Sequence, residues 1–452
     1  MDGHSITVAG DFTGRPFVNE GTLTITGNGT IDSSASEQGG YGAVNNKGTL
    51  TVENGTFKGA TDANGACIRN TGASAVLVVK DGTFEKATSA IYNEGTATLH
   101  DGTYTGTTCS SCNSTVWSYT IRNVSEESHM VINGGTYTGT QGAVSAAVGY
   151  LEVNGGTFET VDCGEKHGAV FYALYAAGER GKVQCIINDG TFISGAAADK
   201  KRPAVLIGND NTNGDGGINA DAVSHVYGGD FQAAEGVSAL KISENTAAAS
   251  IIHGGTYSFL SEDIEKYLDP AVKTATAEDG TIQVVPRTAE DGDVKAKAGD
   301  ACYTSLQEAV DKAEKGSVVT LLADKISESI TISEGKEIIL DLNGKTLTGT
   351  VDEKTGKMSN VITNHGTLTI QDTAGKGSVT GGKDTGDEAK AGRGGIALVN
   401  REGAVCTVLS GTIRREDDNT FGNYTVQNMG TMYIKGGLIT NNSNTSNLVV
   451  NF

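Results

Sequence analysis

Apolar and polar residues alternate in short runs along most of the chain. In Leu50-Thr51-Val52 and Met130-Val131-Ile132 the period is two, which predicts strands. Leu50 and Val52 fall on one face and Thr49 and Thr51 on the other. Such runs are followed by a turn of one recurrent form. It reads NGTF at 54–57, DGTF at 81–84, DGTY at 101–104, GGTY at 134–137, GGTF at 155–158, DGTF at 189–192, GGDF at 228–231 and GGTY at 254–257, with the variant NGTI at 28–31. Nine copies at intervals of 20 to 39 residues describe an architecture, and the period is that of stacked solenoid coils.

A second recurrence precedes several copies: Val44-Asn45-Asn46, Ile68-Arg69-Asn70, Ile91-Tyr92-Asn93 and Ile121-Arg122-Asn123. One coil therefore reads as a short strand ending in Asn, a turn, a Thr-rich alternating strand, an Asn/Asp-Gly turn, and a last strand opening with Thr-Phe or Thr-Tyr. Three short strands per coil, each paired with the coils before and after, make a parallel β-helix. Parallel connections favour the right-handed coil. Aligned coils would stack Phe57, Phe84, Tyr104, Tyr137, Phe158, Phe192, Phe231 and Tyr257 in an internal aromatic ladder, and Asn46, Asn70, Asn93 and Asn123 in an amide ladder. Both ladders read as core packing. On the same grid Cys185 and Cys406 fall where Leu50 falls, as core thiols.

The rhythm stops after Tyr257. Residues 258–300 read as a cap and linker: a short helix around Ser261–Leu268 ended by Pro270, then two strands about Glu278-Asp279-Gly280. Ser305-Leu306-Gln307-Glu308 is a capping box that opens a helix to about Glu314, with Leu306, Ala309, Val310 and Ala313 on one side. It predicts the lid of a second solenoid, whose strands follow in 318–322, 338–344, 368–370, 405–413 and 432–439, with the upstream Asn at Asn364, Asn400 and Asn428. The expected fold is all-β, two tandem right-handed parallel β-helices with short capping helices, over 1–257 and 301–452, the second of them truncated at its C-terminal end.

The stretch Tyr303-Thr304-Ser305-Leu306-Gln307-Glu308-Ala309-Val310, running on to Leu340-Asp341-Leu342-Asn343-Gly344-Lys345-Thr346-Leu347, resembles the module start of large repeat-built surface proteins of Gram-positive gut bacteria. The GGTY copy followed by Asp263-Ile264-Glu265-Lys266-Tyr267-Leu268 resembles their module end. The resemblance spans nearly the whole chain. It implies a secreted, wall-attached, adhesin-like protein, and it implies no catalytic residues.

Composition agrees with a turn-dense β protein: of 452 residues 63 are Gly and only 4 are Pro. The formal charge of −20 argues against a nucleic-acid partner, because polyanion binding depends on Lys and Arg neutralising phosphates. No run of about 18 apolar residues predicts membrane insertion. The chain reads as a piece of a longer one, with secretion and anchoring signals outside it.

Candidate chemistry is confined to a few interruptions of the rhythm. The insertion Cys109-Ser110-Ser111-Cys112 leads to the only Trp, Trp117, and to Tyr119. Cys109 and Cys112 have no second pair for zinc, so a local disulfide is the expectation in a secreted protein. Trp117 and Tyr119, on a loop, would suit sugar or protein contact, or would fold back over the coils. In the longest interval Asn211, Asn213 and Asp215, with Gly216 and Ile218, match the start of a dockerin-like calcium loop. Its closing carboxylate should stand at 222, where Ala222 is found, with Asp221 one place early; turn chemistry alone also selects such residues. Polysaccharide lyases and glycoside hydrolases also use β-helices, and the groups nearest to a catalytic set are Arg414-Arg415-Glu416-Asp417-Asp418 and Asn364-His365-Gly366. Neither carries a lyase or hydrolase signature. The expected function is a non-catalytic adhesin-like module on the bacterial cell surface that recognises glycans or host glycoproteins, with calcium as a candidate cofactor. Its alternatives are a β-helical carbohydrate-active enzyme and a passive spacer.

Overall fold

The computed structural model describes residues 1–12, 14–36, 42–60, 65–106, 119–140, 142–161, 172–176, 181–208, 222–243, 251–354, 356–382, 395–416, 424–442 and 447–452. They form two compact units, Met1–Asp269 with Thr274–Val285, and Pro270–Lys273 with Pro286–Phe452. The stretch 258–300 is thus shared between the units. Each unit is a parallel β-helix of three sheets.

In the first unit one coil is Gly42–Asn46, Thr49–Val52 and Thr56–Lys58, and each of these strands pairs in parallel with its counterpart one coil on. We call the three sheets the amide, outer and aromatic sheets in that order. Strict alternation decides the faces: Thr49–Val52 reads half-buried, buried, half-buried, buried. Leu50 is in register with Leu77, then Ala97, Met130, Leu151 and Cys185, so Cys185 is a core residue. Burial pushes its thiol up to about 12, as it does for Cys67 and Cys406.

The aromatic ladder forms through all eight rings. Neighbouring centroids lie 4.6–5.0 Å apart and the planes within 9° of parallel. That spacing is the separation of paired strands, so one ring per coil stacks directly on the next. Tyr and Phe interchange because a buried hydroxyl finds an acceptor at its own turn. Tyr104 donates to Asp101 O at 2.9 Å, Tyr137 to Gly134 O at 2.7 Å and Tyr257 to Gly254 O at 2.8 Å. The turn needs glycine for two reasons, both visible at Gly102. Its φ is +123°, and a Cβ there would meet Gly82 O at 2.9 Å and the Tyr104 ring at 3.2 Å. The preceding Asp101 holds the turn by accepting the Gly102 N–H at 2.8 Å.

The amide ladder runs one coil further toward the N-terminus than the sequence reading placed it. Asn19 Nδ2 donates to Asn46 Oδ1 at 2.7 Å, Asn46 to Asn70 at 2.7 Å, Asn70 to Asn93 at 2.8 Å and Asn93 to Asn123 at 2.8 Å. Past Asn123 the register holds Ala146, and the ladder stops. The unit closes with the 3₁₀ turn Glu262–Tyr267, which buries Ile264, and with Ile282–Pro286, which pairs antiparallel to Thr256–Tyr257.

In the second unit the helix Leu306–Lys312 buries Leu306, Ala309 and Val310 against the coil interior. Ser305 caps it by accepting the Glu308 N–H at 3.3 Å. Glu328, from a strand connection, does the rest: it accepts from Ser305 Oγ at 2.5 Å, Gln307 N at 2.9 Å, Leu306 N at 3.1 Å and Lys295 Nζ at 3.3 Å. Three sheets then repeat the design of the first unit, with an amide ladder from Asn364 through Asn400 and Asn428 to Asn451. Cys406 sits in register with Leu368 in its core.

Candidate functional site

Functional side chains on a solenoid must stand on its outer columns, since the inner ones are filled by packing. In the first four coils the outward columns of the outer sheet hold only Thr and Val: Thr22 and Thr24, Thr49 and Thr51, Val76 and Val78, Thr96 and Thr98. From the fifth coil the same columns change character. His129 stacks on Tyr150 with centroids 4.3 Å apart and planes 15° from parallel, and Glu152, Gln184 and His225 follow, with Val131, Ile186, Val223 and Ile251 at the other positions of the two columns.

A third column lines the corner where this sheet meets the turn, one residue before each turn pair. His100 Nδ1 lies 3.3 Å from Asn133 Nδ2, Asn154 Nδ2 donates to Asn133 Oδ1 at 3.0 Å, and Asn188 Nδ2 to Asn154 Oδ1 at 2.6 Å. The next coils carry Tyr227, exposed and stacked at 4.4 Å on His253. His253 Nδ1 lies 3.2 Å from the buried Asp269 carboxylate, and its Nε2 is 3.4 Å from His225 Nδ1. Four of the seven histidines of the chain, His100, His129, His225 and His253, therefore gather on one face.

Beside the His129–Tyr150 stack opens a cleft of about 520 Å³, bordered by Glu126, Glu127, Lys182, Gln184 and Val223. The Tyr150 hydroxyl donates to Glu152 Oε2 at 2.6 Å. Burial and that bond push the phenol up to about 12, so it stays a neutral donor at physiological pH. A second cleft, of about 490 Å³, lies along the aromatic sheet's turns between Asp189 and Asp230, with walls of Gly190, Gly229 and Gly255. The first opening sets charged and hydrogen-bonding side chains around a mostly apolar wall, and the second is more evenly polar and apolar.

Most residues singled out from sequence fall elsewhere. Trp117, Cys109 and Cys112, and Asn211, Asn213, Asp215 and Asp221 of the calcium-like loop, lie outside the described residues. Tyr119 opens the strand Tyr119–Asn123 but is 1% exposed, its ring 6.1 Å from that of Tyr175 in a cluster with Tyr172 and Leu206. Its ring is packed within the protein, so it offers no open face to a partner. Arg415 is fully buried, while Arg414 turns to Thr380 Oγ1 at 3.0 Å and Glu416 at 2.8 Å. Asn364 belongs to the amide ladder on a different sheet, and His365 is exposed beside it. These groups do not converge; Asp417 and Asp418 lie outside the described residues. Among the described residues no three His, Cys, Asp or Glu gather as a metal site, and no helix is long and apolar enough to cross a membrane.

The polar face was missed in the sequence, although its signal is there. The column just before each turn pair reads Glu53, Lys80, His100, Asn133, Asn154, Asn188, Tyr227, His253, and only lining up the turns makes it visible. The chain matches no family model, no curated protein and no solved structure.

Proposed function

We propose that this chain is an extracellular, adhesin-like surface module that binds glycans or glycoproteins and does not act on them. The observation that carries this reading is the entry of His129, Tyr150, Glu152, Gln184 and His225 into outward columns of the outer sheet that hold only Thr and Val in the first four coils, beside a cleft of about 520 Å³. Rings and amides held in register offer flat apolar surface and hydrogen-bonding edges with little side-chain freedom left to lose, which suits a polyhydroxylated ligand. The acidic balance of the chain, −20, favours neutral or cationic sugars over polyuronides. The resemblance to repeat-built surface proteins of Gram-positive gut bacteria points to the same role and to a cell-surface location.

The test is a mixed array of glycans and glycoproteins probed with labelled protein, with calcium and with chelator, while the washes are assayed for released sugar. The expected result is saturable binding without release, weakened about five- to tenfold in a His129→Ala, Tyr150→Ala double variant, on the scale of one lost stacking contact of about 1–1.5 kcal/mol. Loss on chelation would point to calcium at the loop that carries Asn211, Asn213, Asp215 and Asp221. Release of sugar would replace this reading with a carbohydrate-active enzyme, and no saturable binding anywhere would replace it with a spacer.

A further inference from the structure

Three successive layers of the first unit set one polar side chain each into a line. The strand Ala222–Val226 carries His225, and in the next coil Ile251–Ile252 runs on to His253. His225 pairs with Ile251 and Val226 with Ile252, so the two imidazoles stand one coil apart and two positions out of register on the same outward face. The layer beyond is formed by Leu268, which bridges Ile252 in parallel, and by Asp269, whose N–H donates to Ile252 O at 2.9 Å. Backbone pairing therefore holds Asp269 beside His253, and Asp269 is only 8% exposed.

The three side chains meet through defined atoms. His225 Nδ1 lies 3.4 Å from His253 Nε2, and His253 Nδ1 lies 3.2 Å from Asp269 Oδ2. A carboxylate only accepts, so Asp269 keeps the His253 proton on Nδ1 and leaves the Nε2 lone pair toward His225. Tyr227 stacks on His253 at 4.4 Å with planes 9° apart and fixes the plane of that ring. When the proton of His225 is on its own Nε2, two lone pairs face each other across the 3.4 Å gap. Two nitrogens bound at about 2.0–2.1 Å to one tetrahedral ion stand about 3.3–3.4 Å apart, whereas neighbouring corners of a square plane would need about 2.8–3.0 Å. A carboxylate on the far nitrogen is also the usual support of a metal-binding imidazole, since it fixes the tautomer and makes the ligand more basic. The formal charge of −20 favours a cation at the surface.

We propose that His225 and His253 bind a zinc ion, through His225 Nδ1 and His253 Nε2, with Asp269 orienting His253. Two protein nitrogens leave at least two positions for water or for an oxygen of an outside molecule, so the site is open. It selects against calcium, which takes oxygen ligands. The competing account of the same geometry is an N–H···N hydrogen bond between the rings, with no ion.

The experiment titrates zinc chloride into the intact, metal-free chain, with accessible thiols alkylated so that cysteine does not compete, and follows magnetic resonance of the histidine ring nitrogens. The expected result is that His225 responds at Nδ1 and His253 at Nε2, while His253 keeps its proton on Nδ1. Calorimetry should count one ion more for wild type than for His225→Ala or His253→Ala, and an excess of calcium should not displace it. Asp269→Asn, which retains an oxygen acceptor, should bind zinc through the same two nitrogens about 10–100-fold more weakly. Circular dichroism checks that each variant folds, and the ring-nitrogen response of wild type tests the site even where a variant does not. Ring nitrogens of His225 and His253 that do not respond to zinc, or respond at the opposite atoms, would overturn the proposal, as would equal ion counts in wild type and both folded histidine variants.

Discussion

Asn93→Ala removes an inner member of the amide ladder. Asn93 is fully buried, and its side chain makes four hydrogen bonds: Nδ2 to Asn123 Oδ1 at 2.8 Å and to Gly95 O at 2.9 Å, and Oδ1 from Asn70 Nδ2 at 2.8 Å and from Gly95 N at 3.3 Å. Two of the four partners have other bonds. Asn70 Nδ2 also reaches Thr96 O at 3.0 Å, and Gly95 O also accepts His129 N at 2.9 Å. Asn123 Oδ1 and the Gly95 N–H are the two groups that lose the contacts holding them. Each buried group left unmet costs about 1–3 kcal/mol, so the variant should lose about 2–6 kcal/mol. That is a large part of the stability of an ordinary domain. The control is Asn133→Ala, which removes an exposed amide from the corner column and should stay within about 0.5 kcal/mol. Coils can open in parts, so urea midpoints should be read together with hydrogen exchange. The strands Ser89–Asn93 and Thr96–Leu99 and their neighbours should lose protection, while the second unit keeps its own. Equal midpoints for the two variants would show that the ladder carries no stability, and the reasoning from unmet groups would be wrong.

Glu328 gives a pH-dependent expectation. Burial alone would raise its pKa, but the Ser305 hydroxyl, the Gln307 and Leu306 N–H groups and Lys295 outweigh it and hold the carboxyl below the usual range. A depressed folded pKa contributes stability that is present above the unfolded value and is lost as pH falls through the folded one. Glu328→Gln should therefore melt lower than wild type near neutrality, with the two melting curves converging in acid; a constant gap at all pH values would refute the assignment. The thiols of Cys67, Cys185 and Cys406, raised to about 12 by burial, should resist a thiol reagent at mildly alkaline pH in the native state and react at once after unfolding. Rapid native labelling at any of the three would mean that its coil opens.

The repeat grammar alone determined most of this architecture. Period-two alternation assigned Leu50 and Val52 inward, the Asn/Asp-Gly turn marked each corner, and one aromatic per interval predicted the ring stack that is found with centroids 4.6–5.0 Å apart. These features are legible because each coil must satisfy the same local demands: a positive φ, an inward ring and a buried amide. Tertiary structure decided what depends on register between coils. Asn19 joined the ladder because pairing sets it beside Asn46, although its coil lacks the Thr-Phe ending. Glu328 became a helix cap through a contact 22 residues away from Leu306. Tyr119 looked like a loop residue beside an insertion, and strand pairing with Gly142 drew it into a buried cluster. His129, Tyr150, His225, Tyr227 and His253 share one face because intervals of unequal length are absorbed outside the strands. The number of residues between coils carries no information about the face, and only the pairing of backbone with backbone restores it.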